Sequence, residues 1–122
     1  MIVLVAAAAI QCRARSIGPG ALGRGGAAGA ACMLAAYRRD CRAADYTLSS
    51  FGVDTVRTET FTMLRGANAC TIRVTDSFRV VPRPPRVLRR LLCARLRTTS
   101  TGGVVADRCT PAATVSLTTL GP

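Results

Sequence analysis

The six cysteines are the residues of this chain with the clearest chemistry. They stand at wide spacings without any C-x-x-C pair, whereas a zinc site built from cysteines alone normally shows close pairs. In a small chain that begins with an apolar run, such cysteines indicate disulfides. The sequence therefore predicts a disulfide framework and no metal site. The alternative is six buried, reduced thiols in a cytosolic protein.

Two of the pairings follow from the expected geometry. Cys93 and Cys109 face each other if the loop between their strands centres on Thr101, and opposed residues of a hairpin approach disulfide distance. Cys41 falls on the apolar stripe of an expected helix, and Cys70 falls on the buried side of an expected strand. A helix packed on that strand would bring the second pair together.

The partners of Cys12 and Cys32 depend on the fate of the N-terminal segment. Residues 1–10 read MIVLVAAAAI, which is as long as the apolar region of a signal peptide and too short to span a bilayer as a helix. Residues 1–16 are therefore interpreted as a signal peptide or apolar leader, although no basic residue precedes the run. Removing the leader takes Cys12 away and leaves Cys32 unpaired, whereas retaining it allows the two to pair.

The chain has no histidine, which excludes Ser–His and Cys–His nucleophile pairs and any histidine-ligated metal site. The acids of the central hairpin include Glu59 and Asp76. A turn centred on Ala67 would set Thr58 opposite Asp76 and place Glu59 on the wet face, diagonal to Arg73. Cross-strand ion pairs then explain these charges. The sequence predicts no catalytic residue, no cofactor and no enzyme, and acid chemistry in a concave sheet is a minor alternative.

Arginine supplies all 17 basic residues, and the net charge is +11. Such a balance favours anionic partners, and arginines are densest between the hairpin and the next loop. No aromatic residue follows Phe78, so this arginine-rich segment has no side chain of its own that can stack on bases as aromatic rings do. Sequence-specific binding of nucleic acid is therefore not expected. The candidate anion-binding residues are Arg83, Arg86, Arg89, Arg90, Arg95 and Arg97.

Residues 53–81 form the clearest structural element, a β-hairpin whose second arm alternates between apolar and polar side chains. Gly66 and Asn68 are suited to its turn. Asp76 interrupts the otherwise apolar side. That side carries Cys70, Ile72, Val74, Phe78 and Val80, which predicts that Phe78 belongs to the core.

The remaining segments suggest one domain. Residues 17–29 are Gly/Ala-rich and read as a linker, and residues 30–44 show helical spacing of apolar side chains. Residues 87–97 fit a strand or a helix, and a strand is preferred because residues 104–109 can close a hairpin with it. A last edge strand follows at 114–120.

Residues 30–122 are thus predicted to be a single α+β domain, in which one N-terminal helix packs on an antiparallel meander of four to five strands. This order of elements is similar to cystatin-like and NTF2-like architectures, in which a helix lies across a curved sheet. The likeness concerns architecture alone and implies no function.

Two functions remain in competition. The first is a small exported, disulfide-stapled, non-catalytic domain, secreted or held in the cell envelope, that binds an unknown ligand. The second is a basic domain that docks on nucleic acid, acidic polymer or lipid headgroups through residues 83–97. A strand at 87–97 favours the first, whereas an exposed amphipathic helix favours the second.

Overall fold

The computed structural model of the chain describes residues 9–12, 15–17 and 27–120. Strands take up 56% of these residues, and there is one short helix. The elements in chain order are β1 (Ile10–Gln11), β2 (Arg15–Ile17), α1 (Ala27–Arg38), β3 (Ala44–Phe51), β4 (Thr55–Arg65), β5 (Cys70–Val80), β6 (Arg86–Thr98), β7 (Val104–Thr110) and β8 (Val115–Ser116).

The eight strands form one curled sheet in the order β1-β3-β4-β5-β6-β7-β8, and β2 also lies against β3. The short β1 and β2 run parallel to β3, and all other neighbours are antiparallel. The expected α+β fold, a helix on a purely antiparallel meander of four to five strands, is therefore wrong. The molecule is mostly sheet, and the sheet is mixed because the N-terminal segment adds to it in parallel.

The strand that the sequence analysis missed is β3. Its side chains alternate between buried Ala44, Tyr46 and Leu48 and partly buried polar neighbours, which is the period-two pattern of a strand with one buried face. β3 pairs with β4 over its whole length. It thereby adds an inner strand between the hairpin and the N-terminal segment.

The β4–β5 hairpin has a register one residue away from the expected one. A four-residue turn joins Arg65 to its partner Cys70, and the N–H of Gly66 bonds to the carbonyl of Ala69. A slip of one residue moves every side chain of a strand to the other face. From Cys70 to Val74 the side chains of β5 lie on the faces that the sequence predicts. The side chains of β4 lie on the faces opposite to the predicted ones.

The core lies on the inner face of the sheet, where α1 contacts β3, β6 and β7. The helix has 12 residues and is about 18 Å long, whereas the 11 residues of β5 extend about 36 Å. One helix therefore covers only part of this face. Phe78, expected in the core, is partly buried and outside the core cluster. The largest fully buried apolar side chains are Tyr46, Phe61, Met33, Leu48, Met63, Ile72 and Leu117.

Residues 87–97 form part of strand β6, as the sequence favours. β6 and β7 pair in the expected register, with Cys93 opposite Cys109 and Leu96 opposite Ala106. Along β5, however, the register of β6 shifts where Asp76 gives way to Ser77. Leu88 of β6 therefore has no partner on β5. Such an extra residue is a β-bulge, which bends the strand locally and changes the direction of its side chains.

The predicted leader and linker fall mostly outside the described residues. Residues 9–12, 15–17 and 27–29 of these segments are described. β1 and β2 within them pair with β3, and residues 27–29, which were expected in the linker, form the start of α1. Cleavage after Ser16 and the domain boundary at residue 30 remain predictions.

Candidate functional site

Four charged side chains from three neighbouring strands meet on the inner face of the sheet. Glu59 of β4, Asp76 of β5 and Arg89 of β6 are consecutive cross-strand partners, and Arg57 lies two positions before Glu59. Arg57 donates to both carboxylate oxygens of Asp76, from Nε at 3.3 Å and from Nη2 at 3.0 Å. Nε of Arg89 lies 3.4 Å from Oδ2 of Asp76. These four residues are the charged row.

Glu59 is the least satisfied member of the charged row. Its Oε1 lies 3.7 Å from Nη2 of Arg57 and 3.8 Å from Nη2 of Arg89, and its Oε2 has no hydrogen-bond partner among the described residues. Burial, and then repulsion from Asp76, raise the pKa of Glu59 to about 7, against the lowering effect of the two arginines. At neutral pH this carboxyl group is therefore only partly ionised.

Two adjacent carboxyl groups, one of them with a raised pKa, are the groups that a general acid and a general base require. A substrate would have to reach them, yet Glu59 is 1% exposed and Asp76 is 2% exposed. Both arginines of the row are also engaged with Asp76. The four side chains therefore link β4, β5 and β6 through buried and half-buried ion pairs.

The sequence analysis placed Glu59 on the wet face, and this placement is wrong. With the actual register Glu59 lies opposite Asp76 and Thr58 lies opposite Ser77. The signal was present in the first arm of the hairpin, where Glu59, Phe61 and Met63 follow each other at every second position. All three are buried, so the apolar alternation of β4 already includes the glutamate.

Three disulfides hold the protein together, and all six cysteines are among the described residues. The first joins the N-terminal segment to α1, the second joins the chain after α1 to β5, and the third joins β6 to β7. The pairs are Cys12–Cys32, Cys41–Cys70 and Cys93–Cys109. The last two are the pairs that the sequence favours, and the first is the pairing open to a chain that keeps its leader.

Asp107 on β7 engages two of the candidate anion-binding arginines. Arg95 donates to both of its oxygens, from Nε at 2.7 Å and from Nη2 at 2.6 Å, and Nε of Arg97 donates to Oδ2 at 2.6 Å. The hydrogen bonds from Arg95 and Arg97 hold the pKa of Asp107 well below its usual range. Arg89 is engaged in the charged row, so three of the six candidates already face acids of their own chain.

The other three candidates, Arg83, Arg86 and Arg90, are exposed. Arg83 lies in the turn after β5, and the other two lie on β6 opposite Phe78 and Thr75. Within the described part of the chain, no ion pair involves any of the three. The prediction that arginines of this segment bind anions therefore now concerns these three, and the six do not form one patch.

Among the strands of residues 9–12, 15–17 and 27–120, only β5 lies beside residues 86–91 of β6. The ladder between β6 and β7 ends where Thr110 faces Leu92, whereas β5 continues along β6 to its first residue. No strand in the described ranges lies on the other side of residues 86–91. Val87 and Leu88 are 42% and 50% exposed. Residues 86–91 are named the free edge.

Clefts also lie away from the charged row. One of about 450 Å³ lies between the end of α1 and the β4–β5 turn, where Asp40 and Arg65 form an ion pair. Another, of about 340 Å³, adjoins the free edge and is lined by Arg73, Arg90, Leu91, Leu92 and Thr110. The second cleft thus places two arginines beside apolar side chains.

No protein-family model matches the chain, and no curated protein or solved structure matches it either. Over the described ranges, no group of three or more potential ligand side chains is arranged to hold a metal ion. None of the helices in the same ranges is long and apolar enough to cross a membrane.

Proposed function

We propose that the protein is an exported, disulfide-stapled binding module without catalytic activity. The observation that carries the proposal is the pairing of all six cysteines into three disulfides between separate elements. Disulfides form and persist in oxidising compartments and are rare in the cytosol. They therefore favour a secreted protein or a component of the cell envelope.

The absence of catalysis is supported by where the titratable groups lie. The chain lacks histidine, and its two closely paired carboxyl groups, those of Glu59 and Asp76, are buried and flanked by arginines. Binding is supported instead by the surface around the free edge. Exposed Leu88 and Leu92 lie there among exposed arginines, and apolar side chains surrounded by polar ones are typical of interaction surfaces.

The test is the thiol state and location of the protein in its native host. Cell fractions are alkylated before and after reduction, and the intact mass of the protein is measured. We expect it in the extracellular or envelope fraction. A chain that keeps its leader should gain six alkyl groups only after reduction, whereas removal of residues 1–16 takes Cys12 away, so Cys32 should be alkylated before reduction and the other four cysteines only after it. The same spectrum shows whether the leader has been removed. Recovery in the cytosol with alkylated thiols before reduction would contradict the proposal.

A second candidate function is non-specific docking on anionic surfaces. Arg83, Arg86 and Arg90 favour it because they are exposed and form no ion pair with the described residues. Retention on heparin should fall steeply as salt is raised, since each arginine contact releases counterions. Arg86→Glu combined with Arg90→Glu should weaken retention more than the same changes at Arg39 and Arg42, which lie after α1. Retention that does not change with salt would exclude this function.

A further inference from the structure

We propose that the free edge, residues 86–91 of β6, takes up an extended acidic segment of a partner polypeptide as an additional strand of the sheet. The inference rests on the proposed function, because it names the ligand class of the binding module. It is carried by the strand pairing, by the exposure of the edge and by its charges.

The backbone of the free edge is the first reason. Along a strand, alternate N–H and C=O groups point to opposite sides, so a strand with one neighbour keeps an unpaired row on the other side. Six residues extend about 20 Å, which is the usual length of a strand. Another polypeptide backbone supplies the matching donors and acceptors, whereas a lipid surface or a nucleic acid does not.

The side chains of the free edge define the sequence of the incoming strand. Val87 and Leu88 are about half exposed and would be covered by apolar side chains of a neighbouring strand. Arg86 and Arg90 are exposed and without an ion pair among the described residues. They lie opposite Phe78 and Thr75, and therefore on different faces of the sheet, so each favours a carboxylate on its own face of the new ladder, where opposite charges attract. Arg89 needs no such partner, because it is engaged with Asp76.

A second copy of this chain fits the free edge poorly. Antiparallel pairing of two such edges would gather Arg86, Arg89 and Arg90 of both chains along one ladder, with no carboxylate in residues 86–91 to offset them, and the repulsion among these charges opposes the pairing. Charged side chains on an exposed strand are also a common protection against edge-to-edge aggregation. The same charges that repel a copy attract an acidic strand, which makes the partner a different polypeptide.

The probe is a blocked six-residue peptide of alternating glutamate and valine, whose glutamates all lie on one face of the added strand and can pair with Arg90. A lysine–valine peptide is its control. Binding to the oxidised protein is measured by titration, and amide hydrogen exchange is followed by NMR. We expect the glutamate peptide to bind and to protect alternate amides within residues 86–91. Arg90→Glu should weaken binding about tenfold, since it exchanges an attraction for a repulsion across the ladder. The lysine peptide should not bind.

The control variant is Arg42→Glu, which makes the same change of charge after α1, beside the Cys41–Cys70 disulfide at the other end of β5. It should leave peptide binding unchanged within twofold or so, since its charge is remote from the free edge. Equal weakening by both variants would show that peptide binding depends only on the net charge of the protein, and it would overturn the inference.

Other outcomes separate the inference from the proposed function. Peptide binding without protection of the amides in residues 86–91 would overturn strand addition, and competition by heparin would then favour surface docking. Protection of these amides without peptide, increasing with protein concentration, would show that a second copy is the occupant. No binding at all would overturn the inference, and the arginines would then serve only to prevent other strands from pairing with the free edge. None of these results changes the disulfide state or the location of the protein, which decide the proposed function separately.

Discussion

The two ends of the inner face differ although the same strands, β4 and β5, run through both. At the end near the β4–β5 turn, Phe61, Met63, Ile72 and Val74 are fully buried, and a disulfide ties Cys41 to Cys70. This is the closed end. At the other end lie the charged row, the partly buried Phe78 and the free edge. This is the open end.

Under the proposed binding role, stability and interaction are assigned to different ends of one sheet. Apolar burial at the closed end contributes about 25 cal/mol for each Å² removed from water. Buried ion pairs such as those of the charged row roughly break even, because desolvation offsets their attraction. The open end therefore adds little net stability, but it holds Arg89 and the first half of β6 in position for a partner.

The largest expected effect tests this comparison with two matched substitutions. Phe61→Ala should lower the free energy of unfolding by roughly 3–5 kcal/mol, because a fully buried aromatic ring leaves a cavity. Phe61 also stacks on Tyr46, with the ring centroids 5.8 Å apart. Phe78→Ala at the open end should cost about 2 kcal/mol at most, because its ring is only partly buried. Denaturant unfolding measures both, and equal losses would contradict the division into two ends.

The next effect concerns the disulfide between β6 and β7. Replacing Cys93 and Cys109 together by alanine opens a loop with a sequence separation of 16, for which the chain-entropy estimate is roughly 3 kcal/mol. The Tm should fall clearly, and added reductant should then lower it less than in the parent. Peptide mapping without reduction checks the pairing itself. Finding both cysteines free, or each joined to a different cysteine, would refute the opposed register of β6 and β7.

The charged row predicts a dependence of stability on pH. Glu59 has a pKa near 7 in the folded state and 4.5 as a reference, so between these values the folded state holds a proton that the unfolded state has released. Stability should therefore fall as pH rises from about 4.5 to about 7, by roughly 3 kcal/mol at most, and stay level above. Glu59→Gln removes the titration and should flatten this part of the profile.

Asp54→Asn is the matched control for Glu59→Gln, since it removes an exposed carboxyl group at the same end of the hairpin. It leaves Glu59 in place, so the slope that Glu59 contributes between pH 4.5 and 7 should remain. A parent profile that is level across this range, or that rises with pH, would show that Glu59 is ionised in the folded protein and that the charged row is more open to water than the structure indicates.

The sequence was sufficient for features that local alternation and short turns determine. The opposed pair Cys93–Cys109 follows from one short loop, and the register of β6 and β7 extends it to Leu96 and Ala106. The inward side of β5 up to Val74 follows from its period of two. In each case the partner strand is the next one along the chain, so few alternatives compete.

The features that the sequence analysis missed depend on single residues or on distant segments. The β4–β5 turn has four residues, and an error of one position turned Glu59 outward, since a slip exchanges the faces. The parallel pairing of β1 and β2 with β3 joins segments far apart in the chain, which no local pattern specifies. The free edge exists because β7 stops at Thr110 while β6 begins six residues before Leu92, and this offset appears only when all strands are in place.

The smallest expected effect concerns Asp107, which lies beside the Cys93–Cys109 disulfide and pairs with two arginines. The pKa of Asp107 is lowered in the folded protein. Asp107 therefore contributes to the free energy of unfolding above its reference pKa of 3.8, and this contribution is lost as the pH falls below that value. The side chains of Arg95 and Arg97 are 38% and 44% exposed, so water screens the attraction and Asp107→Asn should cost about 1 kcal/mol or less. Asp40→Asn, which breaks the more exposed pair with Arg65, should cost about 0.3 kcal/mol or less, and asparagine tolerates the positive φ of that position. Thermal melts at pH 5 and pH 3 check the role of Asp107, because Asp107→Asn should also weaken the acid-induced loss of stability. An equal acid-induced loss in the parent and in Asp107→Asn would show that other carboxyl groups govern unfolding in acid.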